Sequence, residues 1–172
     1  MERAGMANPR DFCVIVGDFN DGFVEIVAEA VSGALEPGQR LRVHGTPEAD
    51  RILAWADERP VDLFVLFLNN MVFGRWGREL EADSFVKALM LVRHLKTRYG
   101  GAVITTAAFP AEFLYEDIAL RIGADRFFRM PFEIAVLAEA VRALFPDRAR
   151  KAADPCAVYR PVLRAGTPGF NA

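Results

Sequence analysis

Residues 123–132 read GADRFFRMPF, and this stretch predicts a buried strand that runs directly into a helix. Gly123 is the kind of residue that ends a helix, and the apolar run after it suits a strand at 125–130. Pro131 then favours a new helix at 131–145, because the amide groups in the first turn of a helix have no acceptor within the helix and proline lacks only such an amide hydrogen. The stretch therefore predicts one strand–helix unit of a parallel α/β fold.

Four similar units precede this one. Short apolar runs predict strands, and each run is followed by a segment whose apolar residues recur with the 3.6-residue period of a helix. The predicted strands are 12–16, 40–45, 63–68 and 102–108, and the predicted helices are 21–34, 46–60 (with Thr46 as N-cap), 84–101 and 111–124. These units predict a doubly wound, three-layer α/β fold with a parallel sheet. Functional side chains are then expected at the carboxyl ends of the strands.

The composition fits a single globular domain. The chain has 172 residues, is 52% hydrophobic and has a mean hydropathy of +0.14. We expect the domain to span 11–146, between an N-terminal arm at 1–10 and an extended or disordered C-terminal tail at 147–172.

Charge and hydropathy argue against several classes of partner. A net charge of −2 without a basic run does not suggest nucleic acid binding. No apolar signal core is present, and no uncharged apolar run reaches about 18 residues, so neither export nor a membrane span is predicted. Cys13 and Cys156 show no pair spacing, which suits a reducing, cytoplasmic compartment.

The order of elements and three motifs resemble the receiver domains of bacterial response regulators. These motifs are VGDF after the first strand, VDLFVLFLNN, and GADRFFRMPF, and the resemblance covers roughly residues 11–145. It implies a flavodoxin-like (βα)5 fold with strand order 2-1-3-4-5. Active members of the family carry an acidic pair after strand one, a phosphoacceptor aspartate ending strand three, a hydroxyl ending strand four, and a lysine before the proline after strand five. The carboxylates hold Mg²⁺, which neutralises the transferred phosphoryl group.

Carried over residue by residue, the resemblance implies that most of this apparatus is missing. The acidic pair falls on Gly17 and Asp18, the acceptor on Phe67, and the lysine on Met130. No Asp or Glu occurs anywhere between residues 63 and 78, so the lack of an acceptor does not depend on the alignment. The implied degenerate pocket consists of Gly17, Asp18, Phe67, Asn69, Thr106, Met130 and Pro131. The resemblance thus implies a pseudo-receiver that is not an enzyme, with no catalytic residue, no metal and no cofactor.

Asp18 also has a structural interpretation. Together with Asn20 and Asp21 it could form a residual cation site, but an acidic residue and an N-cap at the start of a helix explain the same residues, and we favour the second interpretation. His44 and His94 lie on different elements with no other histidine or cysteine nearby, so no metal or catalytic role is expected for them.

An aromatic group near the last helices is a candidate interface. Receivers commonly use the surface of their fourth helix, fifth strand and fifth helix for dimerisation or output contacts, and Phe127 matches the aromatic switch position of that family. The candidate interface residues are Phe109, Phe113, Tyr115 and Phe127. The expected partners are a signalling protein or kinase, or a second copy of this chain.

The segment 71–83 is longer than its family counterpart by roughly eight or nine residues, and long loops in compact domains are often functional. Arg75, Trp76 and Arg78 could contact an anionic or peptide ligand. The alternative, slightly favoured, is a lid that packs Trp76 over the space of a phosphorylation pocket.

Two alternatives to a non-phosphorylatable regulator stay open: phosphorylation on an unusual acid, and small-molecule sensing in the emptied pocket.

Two further family resemblances fail because the residues that their chemistry needs are missing. The Gly-Asp block is similar to that of SGNH serine hydrolases, but Phe19 stands where the serine should be and no histidine follows position 94. GDFNDG also lacks the hydroxyl-rich loop with which a flavodoxin holds its flavin phosphate.

Overall fold

Five parallel strands form one sheet in the order β2-β1-β3-β4-β5. The computed structural model describes residues 11–78, 80–108 and 114–148. The strands are β1 (Phe12–Gly17), β2 (Leu41–Gly45), β3 (Leu63–Phe67), β4 (Ala102–Ala107) and β5 (Arg126–Arg129). The helices are α1 (Asp21–Ala34), α2 (Ala49–Glu58), α3 (Arg75–Arg78), α4 (Ser84–Tyr99), α5 (Leu114–Ile122) and α6 (Ile134–Leu144). The predicted fold class and strand order are both confirmed.

Each face of the sheet buries its own apolar cluster. All six residues of β1 are buried, as expected for a strand covered by helices on both sides. Because side chains alternate along a strand, Val14 packs under α1 and α6 whereas Ile15 packs under α2, α4 and α5. Helices therefore pack on both faces of the sheet, and the residues at its carboxyl edge follow strands that are buried on both sides.

Several element boundaries differ from the sequence-based prediction, and two of them lie at the carboxyl edge of the sheet. β3 ends at Phe67, because Leu68–Asn70 turns into a 3₁₀ helix. α2 begins at Ala49 with Glu48 as its N-cap, so Thr46 is not the cap. The reason is a short parallel pairing in which the Val72 amide donates to Pro47 O at 2.7 Å and the Ala49 amide donates to Val72 O at 2.9 Å. This pairing keeps residues 47 and 48 out of the helix.

The last helix also begins later than predicted, at Ile134, after a cis peptide bond between Met130 and Pro131.

Beyond the last helix, Arg148 contacts the domain, although the sequence analysis placed it in the tail. Its Nη1 lies 3.1 Å from Asp62 Oδ1, and its carbonyl accepts from the Glu36 amide at 3.0 Å. The predicted arm at 1–10 and the rest of the tail lie outside the described residues. Within the described ranges, no helix is long and apolar enough to cross a bilayer.

Candidate functional site

The strand ends bring most of the predicted pocket residues to one edge of the sheet. Gly17 ends β1 opposite Leu66, and Phe67 ends β3 opposite Thr106 of β4. Thr106 in turn lies opposite Phe128 of β5. The carboxyl edge therefore carries the row Phe67, Thr106 and Phe128, in which a hydroxyl lies between two aromatic residues.

Asp18 is the one carboxylate among the predicted pocket residues, and it is almost completely buried, at 2% exposure. Its Oδ1 accepts from the Asn20 amide at 3.1 Å and from Asn70 Nδ2 at 2.9 Å. Its Oδ2 is buried and has no hydrogen-bond partner among the described residues. Asn20 caps α1 by accepting from the Gly22 amide at 2.9 Å, so the structural interpretation of Asn20 is confirmed.

Apolar side chains crowd Gly17, the position beside Asp18. A β-carbon on Gly17 would lie 2.7 Å from Leu66 Cδ2 and 2.8 Å from Met71 Sδ. Such distances are shorter than van der Waals contact, so Leu66 and Met71 would have to shift to admit any side chain at this position. No group of three or more His, Cys, Asp or Glu residues within the described ranges could hold a metal ion.

Phe67 belongs to an aromatic cluster, which we define as Phe23, Phe67, Phe128 and Phe132. The ring centroids of Phe23 and Phe67 are 6.0 Å apart, those of Phe23 and Phe132 are 6.4 Å apart, and those of Phe128 and Phe132 are 5.3 Å apart. These separations fall in the favourable range for aromatic pairs. Met130 packs against the same apolar core. Phe67 and Met130 therefore both pack in the apolar core on this face of the sheet.

Thr106 keeps a polar group at this edge. Its side chain is fully buried, and its Oγ1 has no hydrogen-bond partner among the described residues. Its neighbour Thr105 points to the other face, where Oγ1 donates to Arg126 O at 3.3 Å. Burying a hydroxyl without a hydrogen-bond partner lowers the stability of the folded protein. Thr106 is therefore a polar side chain that packing alone does not explain.

Asn69 and Asn70 connect this edge to both neighbouring strands. Asn69 Oδ1 accepts from the Ala108 amide at 2.9 Å, while Asn70 donates to Asp18. The predicted site included Asn69 but not Asn70. The signal that could have found Asn70 is the polar doublet directly after the most apolar run of the chain.

The two histidines pack against aromatic rings, and neither ring contact involves a pocket residue. His44, at the end of β2, lies 5.0 Å from the Trp55 ring, and burial, followed by the charges of Arg59 and Arg42, lowers the pKa of its imidazole. The His94 ring lies 5.9 Å from Trp76.

The segment 71–83 is fastened to α2. The Asp50 carboxylate accepts from the Arg75 amide at 2.6 Å and from the Trp76 amide at 2.8 Å, which fixes the start of α3. Trp76 packs with Phe73 against the apolar cluster under α2 and α4. Phe67 packs on the opposite face of the sheet, so the lid interpretation is wrong about where Trp76 lies.

Arg75 and Arg78 are exposed on α3. They therefore remain available as candidate contacts for an anionic or peptide ligand, whereas the Trp76 ring is half-buried.

The candidate interface residues are only partly at the surface. Phe127 is 8% exposed and belongs to the core, because strand alternation directs it beneath the helices on one face. The Tyr115 ring lies 4.1 Å from the Phe85 ring of α4. Phe109 and Phe113 lie outside the described residues. The exposed large apolar residues on α5 and α6, which the sequence did not single out, are Ile118, Leu120 and Val136.

Solved structures with a similar fold are receiver domains and response regulators. A response regulator from Thermotoga maritima shares 14% identity at a TM-score of 0.62, covering 80% of this chain and 99% of that one. The receiver domain of NtrX from Brucella abortus shares 21% identity at a TM-score of 0.56, covering 78% and 98%. A CheY-like receiver domain protein from Methanospirillum hungatei JF-1 shares 14% identity at a TM-score of 0.59, covering 80% and 96%.

No protein-family model matches the chain, and no curated protein matches it. Identities this low establish a common fold and leave function to be argued from the site. The chain has the receiver fold, with five parallel strands in the order 2-1-3-4-5 and its candidate site at their carboxyl ends.

Proposed function

We propose that this protein is a receiver-fold regulatory module that acts through protein–protein contacts, in two-component-type signalling or cell regulation, without being phosphorylated. The observation that carries the proposal is Phe67, which ends β3 as part of the aromatic cluster. A phenyl ring has no lone pair with which to attack a phosphoryl group, so the position that the resemblance assigns to the acceptor has no nucleophile.

The surroundings of Phe67 support the same conclusion. Phosphoryl transfer depends on positioning and on cations that neutralise the developing charge. Mg²⁺ demands near-octahedral oxygen coordination, and Asp18 is the single carboxylate among the pocket residues, with one oxygen already bound by two amides. Met130 supplies no positive charge. The edge therefore lacks the acceptor, the second acid and the lysine together.

The alternative acceptor at this edge is Asp18 itself, and its environment disfavours that role. At 2% exposure, its carboxylate is shielded from a phosphodonor in solution. Its Oδ1 also accepts two hydrogen bonds that phosphorylation would disturb.

The proposed contacts are exposed apolar side chains of α5 and α6, two helices that cover opposite faces of the sheet. Ile118 is 38% exposed, Leu120 41% and Val136 39%, and exposed apolar side chains of this size gain from burial against a partner. The partner is a signalling protein or a second copy of this chain.

Capture from the native cell tests the proposal, with the tagged chain compared with Ile118→Asp and, as a matched control, Val86→Asp. Val86 is 41% exposed on α4 and is not one of the α5 and α6 residues that make up the proposed surface. We expect Ile118→Asp to lose at least half of the captured partner or of the self-association seen by sedimentation, whereas Val86→Asp retains both. Adding Mg²⁺ and a small phosphodonor should leave capture unchanged, because no group accepts the phosphoryl. Equal losses in both variants, or capture that depends on the phosphodonor, would contradict the proposal.

A further inference from the structure

Two consecutive asparagines join three loops at the carboxyl edge of the sheet. Both lie on the 3₁₀ helix Leu68–Asn70, directly after β3. Asn69 Oδ1 accepts from the Ala108 amide, beyond the end of β4, at 2.9 Å. Asn70 Nδ2 donates to Asp18 Oδ1, beyond the end of β1, at 2.9 Å.

We propose that Asn69 and Asn70 form an asparagine clamp, which holds the loops after β1, β3 and β4 in one arrangement without any bound ligand. The clamp deepens the proposed function and rests on it: a module whose edge is fixed by its own side chains has no need of phosphorylation to select a state.

The position of the clamp in the sheet explains how two adjacent residues reach opposite sides. β3 lies between β1 and β4, so the segment after β3 has both other loops as neighbours. Successive residues of a 3₁₀ helix point about 120° apart, which sends the two side chains in different directions. One helical turn can therefore form hydrogen bonds with the loop after β1 and with the loop after β4.

The chemistry of the amide group suits both contacts. A side-chain amide offers an acceptor oxygen and donor hydrogens. Asn69 uses its oxygen for a backbone amide, and Asn70 uses its nitrogen for a carboxylate, which makes a charge-assisted bond. Asp18 is buried, so the hydrogen bond that Asn70 donates to its Oδ1 is stronger than the same bond would be in water.

Amide hydrogen exchange tests the clamp in the full chain, using Asn69→Ala, Asn70→Ala and the double variant. We expect Asn69→Ala to speed exchange at the Ala108 amide about fivefold, the factor that corresponds to the loss of one ordinary hydrogen bond. Asn70→Ala should speed exchange at Asn20 and also at Ala108, although it removes no bond to Ala108. The double variant should then show a non-additive effect, because coupled residues do not act independently.

A conservative variant and a matched control keep the result interpretable. Asn69→Asp retains an acceptor oxygen and should preserve most of the protection at Ala108, whereas Asn69→Ala should not. Asp83→Ala removes a comparable side-chain bond, which Asp83 Oδ1 accepts from the Val86 amide at 2.9 Å, and should affect the start of α4 alone.

Unchanged exchange at Ala108 in Asn70→Ala would overturn the clamp, since the two contacts would then be independent. So would equal exchange at Ala108 in Asn69→Ala and the wild type. Neither outcome depends on phosphate, so a phosphorylated wild type would overturn the proposed function while the exchange data judge the clamp separately.

Discussion

At the scale of single residues, Gly17 shows how closely apolar groups fill the end of β1. Gly17→Ala should lower the free energy of unfolding by about 1–3 kcal/mol, because the added methyl group would press on Leu66 and Met71. Urea unfolding measures the change. Gly33→Ala is the matched control: nothing lies within 4 Å of a β-carbon there, so alanine in this helical position should stabilise by about 0.5–1 kcal/mol. Equal stabilities of Gly17→Ala and the wild type would show that the end of β1 is loosely packed.

His44 gives a pH dependence whose sign follows from its lowered pKa. Well above pH 6.5 the imidazole is neutral in both the folded and the unfolded chain, and its contribution to stability does not change. As the pH falls through 6.5, the unfolded chain takes up the proton first, because burial and two arginines lower the pKa of His44 in the folded protein.

We therefore expect the free energy of unfolding to fall from about pH 7 to about pH 5, and to fall less steeply in His44→Gln. Urea midpoints at the two pH values measure this slope. His94→Gln leaves His44 in place and should retain the wild-type contribution of that residue. A His44→Gln slope equal to that of the wild type would contradict the expectation.

At the scale of elements, Asp50 determines whether α3 stays in place. Asp50→Ala removes the acceptor for the Arg75 and Trp76 amides, a loss comparable to that of an N-cap, at about 0.5–2 kcal/mol. Trypsin should then cleave faster after Arg75 or Arg78. Asp57→Ala is the control, because Asp57 lies on α2, as Asp50 does, but its carboxylate pairs with Arg98 of α4. Identical digestion of Asp50→Ala and Asp57→Ala would show that the carboxylate does not hold the turn.

The strands could be predicted from the sequence because their signals are local. The apolar runs at β1 and β3 and the Gly-to-Pro stretch at β5 each identified an element without help from the rest of the chain. The start of α2 could not be predicted, since it depends on Val72 pairing with Pro47 and Ala49, residues that are far from it in sequence.

The candidate site was predictable to a similar extent. Its position at the carboxyl edge follows from parallel strands, and the structure brings Gly17, Asp18, Phe67 and Thr106 to that edge. The role of Asn70 depends on a contact with Asp18, which is 52 residues away, and no local pattern reports such a contact. The burial of Phe127 depends on which face of β5 the helices cover.

At the scale of the whole molecule, internal contacts fasten both edges of the sheet. The asparagine clamp and the aromatic cluster occupy the carboxyl edge. At the opposite edge, Lys96 Nζ lies 2.8 Å from Asp125 Oδ2, and that oxygen also accepts from the Val103 amide at 2.7 Å. Contacts of this kind favour one arrangement of the domain, which fits a module that presents a constant surface.

The central claim is that no group of this protein accepts a phosphoryl group from a donor that serves receiver domains. Intact mass after incubation with Mg²⁺ and a small phosphodonor tests it most directly. We predict that the mass of the wild type stays unchanged, and that the mass of Asp18→Asn stays unchanged as well. A gain of about 80 Da on the wild type, the mass of one phosphoryl group, would contradict the claim, and its loss in Asp18→Asn would assign the acceptor to Asp18.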